Sequence, residues 1–97
     1  MTRLGKVNET HIKGAVKDYL AFKGIFNYHV LQGLGAYKGS PDRIMHHRGK
    51  VVYLEIKTSG GKLSEHQEAF QSHCAHDGID YWVIRSIEDL MKCLEEK

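Results

Sequence analysis

Proline is almost absent from this 97-residue chain, with Pro41 the only one, so no proline-rich linker divides it. No internal repeat or low-complexity tract is visible either, and one domain spanning residues 1–97 is the expected organisation. Cysteine is nearly as scarce. Cys74 and Cys93 both fall among apolar neighbours on predicted helical faces, so they are expected as small core residues rather than a disulfide or a metal pair. No apolar run approaches the roughly 18 residues a membrane span needs, which argues against insertion. Met1 to Lys6 lacks the apolar stretch of a secretory signal, and a reducing cytoplasm is the expected location. Strong charge of one sign is also missing. The formal net charge is +2, too weak by itself to announce nucleic acid.

The distribution of charge says more than its sum. Lys38, Arg43, His46, His47, Arg48, Lys50, Lys57 and Lys62 all lie between positions 38 and 62, whereas the last ten residues are rich in acid. A solvated basic hairpin and a surface for a polyanion both fit that clustering. A chain this short buries only about 60–65% of its unfolded-state surface, so a homodimer is expected on stability grounds.

Periodicity predicts a mixture of helix and strand. Ile12, Ala15, Val16, Tyr19 and Leu20 recur at helical spacing between about residues 9 and 23, with Asn8 a candidate N-cap and Gly24 a candidate C-cap. Phe26 to Leu31 reads as a strand, followed by a glycine-rich loop from Gly33 to Ser40. Arg43 to His47 and Lys50 to Lys57 read as an antiparallel hairpin turning at Arg48-Gly49. Ser64 opens a second helix to about Ala75, and Gln67 completes a capping-box pattern with it. His76-Asp77-Gly78 ends that helix, residues 81–85 form a buried strand, and Ser86 caps a last helix carrying Ile87, Leu90, Met91 and Leu94. The order is α-β-β-β-α-β-α. The strand at 50–57, the second helix and the strand at 81–85 have the make-up of a crossover unit, which makes those two strands parallel neighbours in a mixed sheet.

One strand carries chemistry. Its period of two puts Val52, Leu54 and Ile56 on one face and Tyr53, Glu55 and Lys57 on the other. Glu55 and Lys57 therefore point the same way, and a buried charge pair asks for a salt bridge or a site. A solvated strand end would account for this pair alone. Ser40-Pro41-Asp42, by itself ordinary turn chemistry, stands at the start of the hairpin. Pairing about Arg48-Gly49 brings residue 42 near residues 55 and 56, so Asp42 and Glu55 converge. Two such carboxylates repel unless a hard cation lies between them, and oxygen ligands suit Mg²⁺ or Mn²⁺.

Pro41-Asp42 followed by Glu55-Ile56-Lys57 resembles the signature of the PD-(D/E)XK nuclease superfamily. Glu9, spaced with Ile12 and Val16 on the expected core-facing side of the first helix, resembles that family's N-terminal helix glutamate; helix-dipole stabilisation is its structural alternative. Gln67 resembles the glutamine found after the catalytic strand in one branch, the VRR-Nuc domain. Tyr81 to Ser86 is similar to the segment that names this branch, although Ile84 replaces the first of its two arginines.

The resemblance implies an α/β restriction-endonuclease-like core, with the mixed central sheet flanked by helices, that hydrolyses DNA phosphodiesters with Mg²⁺ or Mn²⁺. It implies metal ligation by Asp42, Glu55, the Ile56 carbonyl and Glu9, and catalysis by Asp42, Glu55, Lys57 and Gln67, with Gln67 positioning Lys57 or the backbone. Lys38, Arg43, Arg48, Lys50, Lys62 and Arg85 are candidates for the DNA backbone. It further implies a homodimer acting on branched DNA such as four-way junctions, in the cytoplasm of a bacterium or a phage-infected host, without membrane or organic cofactor.

Three other readings compete. A non-catalytic nucleic-acid-binding module could keep the basic loop on a nuclease-like fold. A zinc protein could use His66, His73, Cys74 and His76 of the second helix with His46-His47 of the hairpin; His73 and His76 can share a helix face, but no second pair stands at zinc-finger spacing. A structural adaptor needs none of the acidic set.

Overall fold

A computed structural model describes residues 8–96. Asn8 caps the first helix, α1 (Glu9–Phe22), its side chain accepting from the His11 amide at 2.8 Å. Ile12, Val16 and Leu20, one turn apart, form the buried stripe of α1. The C-cap is Lys23, and Gly24 beyond it takes the left-handed conformation that ends the helix.

Four strands follow in two groups: β1 (Asn27–His29), β2 (Arg43–His47) and β3 (Lys50–Ile56), then β4 (Asp80–Ile84) after the second helix, α2 (Glu65–Asp77). The last helix is α3 (Ile87–Glu96), giving the element order α-β-β-β-α-β-α. The sheet order is β1-β2-β3-β4, antiparallel across the first three strands and parallel between β3 and β4. β1 is shorter than the expected strand from Phe26 to Leu31. Its pairing continues at both ends through single backbone bonds, His46 to Phe26 and Val30 to Asp42.

Two local features fix the hairpin. Arg48 and Gly49 both have positive φ, 53° and 78°, as a tight two-residue turn that follows the strand twist requires. That turn sets the register, with His47 opposite Lys50 and Arg43 opposite Leu54.

The core lies on one side of the sheet. Met45, Val52, Leu54, Ile56, Trp82 and Ile84 pack with the α1 stripe and with Leu90 and Leu94 of α3. Each such fully buried side chain contributes roughly 1.5–3 kcal/mol relative to exposure. Of the two cysteines, Cys74 is buried in α2, whereas Cys93 is half-buried and packs against this core from α3. The opposite face is thinly covered. α2 buries only Cys74 and meets the sheet chiefly through Phe70, whose ring lies 5.3 Å from Tyr53 and 6.1 Å from Tyr81.

The glycine-rich loop folds against the start of α2. Gly39 has φ of +88°, and a Cβ there would sit 2.3 Å from the His66 carbonyl oxygen. Backbone meets backbone at that point, so Gly39→Ala is expected to destabilise by about 2–4 kcal/mol, read by urea denaturation. A loss below about 0.5 kcal/mol would show that the loop does not hold this close approach. Among the described residues no helix is long and apolar enough to cross a membrane.

Candidate active site

The site lies at the end of the sheet away from the hairpin turn. Pro41 and Ser40 are buried, and the Ser40 hydroxyl donates to the Tyr37 carbonyl, which ties the loop down just before Asp42. Gln32 holds the Pro41 carbonyl at 3.1 Å. The Asp42 amide donates to Leu54 O at 2.9 Å, and its Oδ2 accepts from the Ile56 amide at 2.6 Å. One carboxylate oxygen of Asp42 is thus fixed on β3, and the other, Oδ1, faces Lys13 Nζ at 3.2 Å.

Glu55 is only 2% exposed. Its Oε2 accepts from Gln67 Nε2 at 3.0 Å and lies 3.9 Å from Lys57 Nζ, while its Oε1 is buried without a hydrogen-bond partner. Burial, then the neighbouring Asp42 charge, push the Glu55 carboxyl up to about 8, against the opposing pull of Lys57. A cation placed there would relieve both causes at once.

Gln67 closes the expected capping box, but its contact within the site is not the expected one to Lys57. Its Oε1 accepts from the Ser64 amide at 2.9 Å and its amide donates to Ser64 Oγ at 3.2 Å, closing the capping box. The free end of the same side chain reaches Glu55, so the contact goes to the carboxylate and not to Lys57.

Glu9 departs from expectation. It does not face the core: its side chain is 40% exposed and pairs with Lys13 at 3.2 Å, one turn along the helix. Lys13 therefore bridges Glu9 and Asp42. Burial lowers its ammonium, but Asp42 and Glu9 outweigh that and hold it above the usual lysine range. Among the described residues no three His, Cys, Asp or Glu side chains gather closely enough to form a metal shell on their own.

The six cationic candidates separate. Lys38 and Lys62 are exposed in the two loops that lead to and from the site. Arg48 and Lys50 stand at the hairpin turn, roughly 20 Å from Ile56 at the rise of an extended strand. Arg43 donates through Nε to Asn27 Oδ1 at 2.8 Å, tying β2 to β1. Arg85 donates to the carbonyls of Thr58 and Gly61 at 2.6 and 2.7 Å and pins the turn that follows Lys57.

Two residues of this site escape a reading of the sequence. Lys13 carries one signal, its spacing of four from Glu9, which any solvated helix shares. Tyr81 sits beside Tyr53 in the β3–β4 pairing, with a buried hydroxyl that lacks a partner; burial and the Glu55 charge raise its phenol above the usual range.

The fold is similar to that of a VRR_NUC domain. A solved structure titled "VRR_NUC domain" superposes with a TM-score of 0.76 at 20% identity, covering 93% of this chain and 97% of that one. No protein-family model matches the chain, and no curated protein does.

Proposed function

We propose that the protein is a metal-dependent DNA endonuclease. The observation that carries this reading is the pair formed by Asp42 and the buried Glu55, whose Oε1 has no partner and whose neighbour is Lys57. A hard divalent cation fits that set: two carboxylates that repel each other, one orphaned buried oxygen, and carboxyl groups as donors. Asp42 and Glu55 would hold Mg²⁺ or Mn²⁺ together with the Ile56 carbonyl, and Glu9 would join them directly or through water. When bound, the ion supplies an acidified water and neutralises charge on the scissile phosphate.

The remaining work falls to side chains. Lys57, only 14% exposed, keeps its ammonium beside Glu55, where it can orient the attacking water or stabilise the phosphate as charge develops. Gln67 fixes the rotamer of Glu55 from the rigid N-terminus of α2. The Ile56 amide fixes Asp42, so neither carboxylate needs to reorganise when phosphate arrives. Lys38 and Lys62 flank the site and supply phosphate contacts, which give affinity without sequence information. Arg43 and Arg85 contribute mainly by holding β1 and the 58–61 turn in place.

We further infer a homodimer acting on branched DNA. The sheet face left open by α2 bears Phe26, Tyr28 and His46, with ring centroids 5.8 and 4.8 Å apart about Phe26, and Val51, which pairs with His46. Ile79 continues the patch beside Val51. Such a patch, roughly 300–600 Å² where it occurs on small proteins, supplies much of the apolar part of the about 800 Å² each partner buries in a stable pair. A second copy, related by a two-fold axis, would present two sites to two symmetric strands.

Cleavage of a labelled four-way junction and a matched linear duplex, in Mg²⁺, Mn²⁺ or EDTA, tests the reading. Metal-dependent cutting with the junction preferred by about tenfold or more is expected. Equal cutting would remove the branched-DNA claim. Binding with no cutting in any metal would favour a non-catalytic nucleic-acid module. Light scattering should give twice the 11.1 kDa protomer mass, and a monomer at micromolar concentration would remove the dimer.

A further inference from the structure

Lys13 stands where a ligand of the metal site would otherwise be open. Of the two Asp42 oxygens, Oδ2 already accepts from the Ile56 amide at 2.6 Å, so Oδ1 is the one not engaged by the backbone. Lys13 Nζ holds that oxygen at 3.2 Å and holds Glu9 Oε2 at the same distance. Glu9 and Asp42, both candidate ligands, therefore meet through an ammonium. We propose that Lys13 is a built-in counter-ion that the divalent cation must displace, an inference that rests on the metal reading of the Asp42 and Glu55 site.

The physical case is competition for one oxygen. A divalent ion binds carboxylate oxygen at roughly 2.0–2.2 Å, closer than a hydrogen-bonded ammonium. Both cations cannot keep the same lone pairs of Oδ1, and their charges repel at that separation. Lys13 can yield. Its side chain is 45% exposed, its stem rises from the surface of α1, and a cavity of about 180 Å³ lined by Lys13, His29, Val30, Gln32, Asp42 and Arg43 adjoins it. That volume holds an ammonium and several waters, each of which needs about 30 Å³. Departure of Lys13 also releases Glu9, so the two candidate ligands become available in the same event.

The counter-ion has a use in the metal-free protein. With Glu55 buried and Asp42 adjacent, the ammonium balances the carboxylate that stays nearer to solvent and ties α1 to the start of β2. Metal affinity is set lower as a result, and loading becomes an exchange of one cation for another.

Titration calorimetry with Mn²⁺ alone, at pH 9, where protons no longer compete at Glu55, and about 0.15 M salt, tests this on four variants beside the native chain. Lys13→Gln is expected to bind Mn²⁺ about tenfold more tightly, while Lys13→Arg, which keeps a cation in place, stays within about threefold of native. Lys17→Gln removes the same charge one turn further along α1 and should change affinity less than twofold, which separates displacement from a general loss of positive charge. Asp42→Asn should abolish binding. Equal or weaker binding by Lys13→Gln overturns the counter-ion role. If Asp42→Asn still abolishes binding in that case, the metal site itself stands. Native-like binding by Asp42→Asn overturns both.

Discussion

Glu55→Gln is expected to stabilise the metal-free protein and, in the same variant, to abolish metal-dependent cleavage. The Glu55 carboxyl is pushed up to about 8 by burial and by Asp42, against about 4.3 in an unfolded chain. Near pH 4 both states carry the proton. Between about 4.3 and 8 the unfolded state gives it up while the folded state retains it, so stability falls as pH rises through that window. Above pH 8 the folded protein carries the whole cost of a buried carboxylate beside another. A neutral amide of the same shape removes that cost, and at pH 9 in EDTA the gain is expected to be on the order of 2–4 kcal/mol, shrinking towards zero near pH 4. Urea denaturation at the two pH values reads it. The native chain should also gain about 2.7 kcal/mol at an Mn²⁺ concentration 100 times its Kd, and the variant should gain nothing. A variant less stable than native at pH 9 would show that Glu55 is not held as a strained anion.

Lys57→Met is expected to slow cleavage by about 10²- to 10³-fold while leaving metal affinity nearly intact. Lys57 lies 3.9 Å from Glu55 Oε2 and carries no oxygen that could ligate a cation. Methionine retains the apolar stem of a side chain that is largely buried. The comparison belongs at pH 9, because losing Lys57 raises Glu55 further, and at lower pH protons would compete with the metal. There, Mn²⁺ affinity within about threefold of native together with the rate loss assigns Lys57 to the chemistry. A parallel collapse of Mn²⁺ binding would reassign it to holding Glu55 in place.

Much of this geometry was legible in the chain itself, because it follows from two periodicities and one turn. The Arg48-Gly49 turn fixes the hairpin register, and that register carries Asp42 to the amide of Ile56. Strand alternation puts Glu55 beside Lys57, and the Ser64 and Gln67 spacing closes a capping box. The same register sends Arg48 and Lys50 to the opposite end of the sheet, a consequence equally contained in the turn.

The rest depends on where long side chains end, which no pattern of residue types specifies. Arg43 and Arg85 read as surface cations, yet their guanidinium groups close on Asn27 and on the Thr58 and Gly61 carbonyls. Glu9 reads as core-facing from its spacing with Ile12 and Val16, but a first-turn carboxylate finds its partner in Lys13 four residues along. Lys13 itself resembles any solvated helix lysine until Asp42 is brought against it. The second helix is capped clearly at both ends but lacks a regular apolar stripe, and its light packing over Tyr53 and Tyr81 follows from that.

Single-turnover cleavage of a labelled four-way junction in Mn²⁺, by the native chain and by Asp42→Ala side by side, addresses the central claim most directly. The native chain should cut in Mn²⁺ and not in EDTA, with the variant slower by about 10³-fold or more. Cutting that survives in Asp42→Ala would contradict the site, and a native chain that cuts no DNA in any divalent metal would contradict the function.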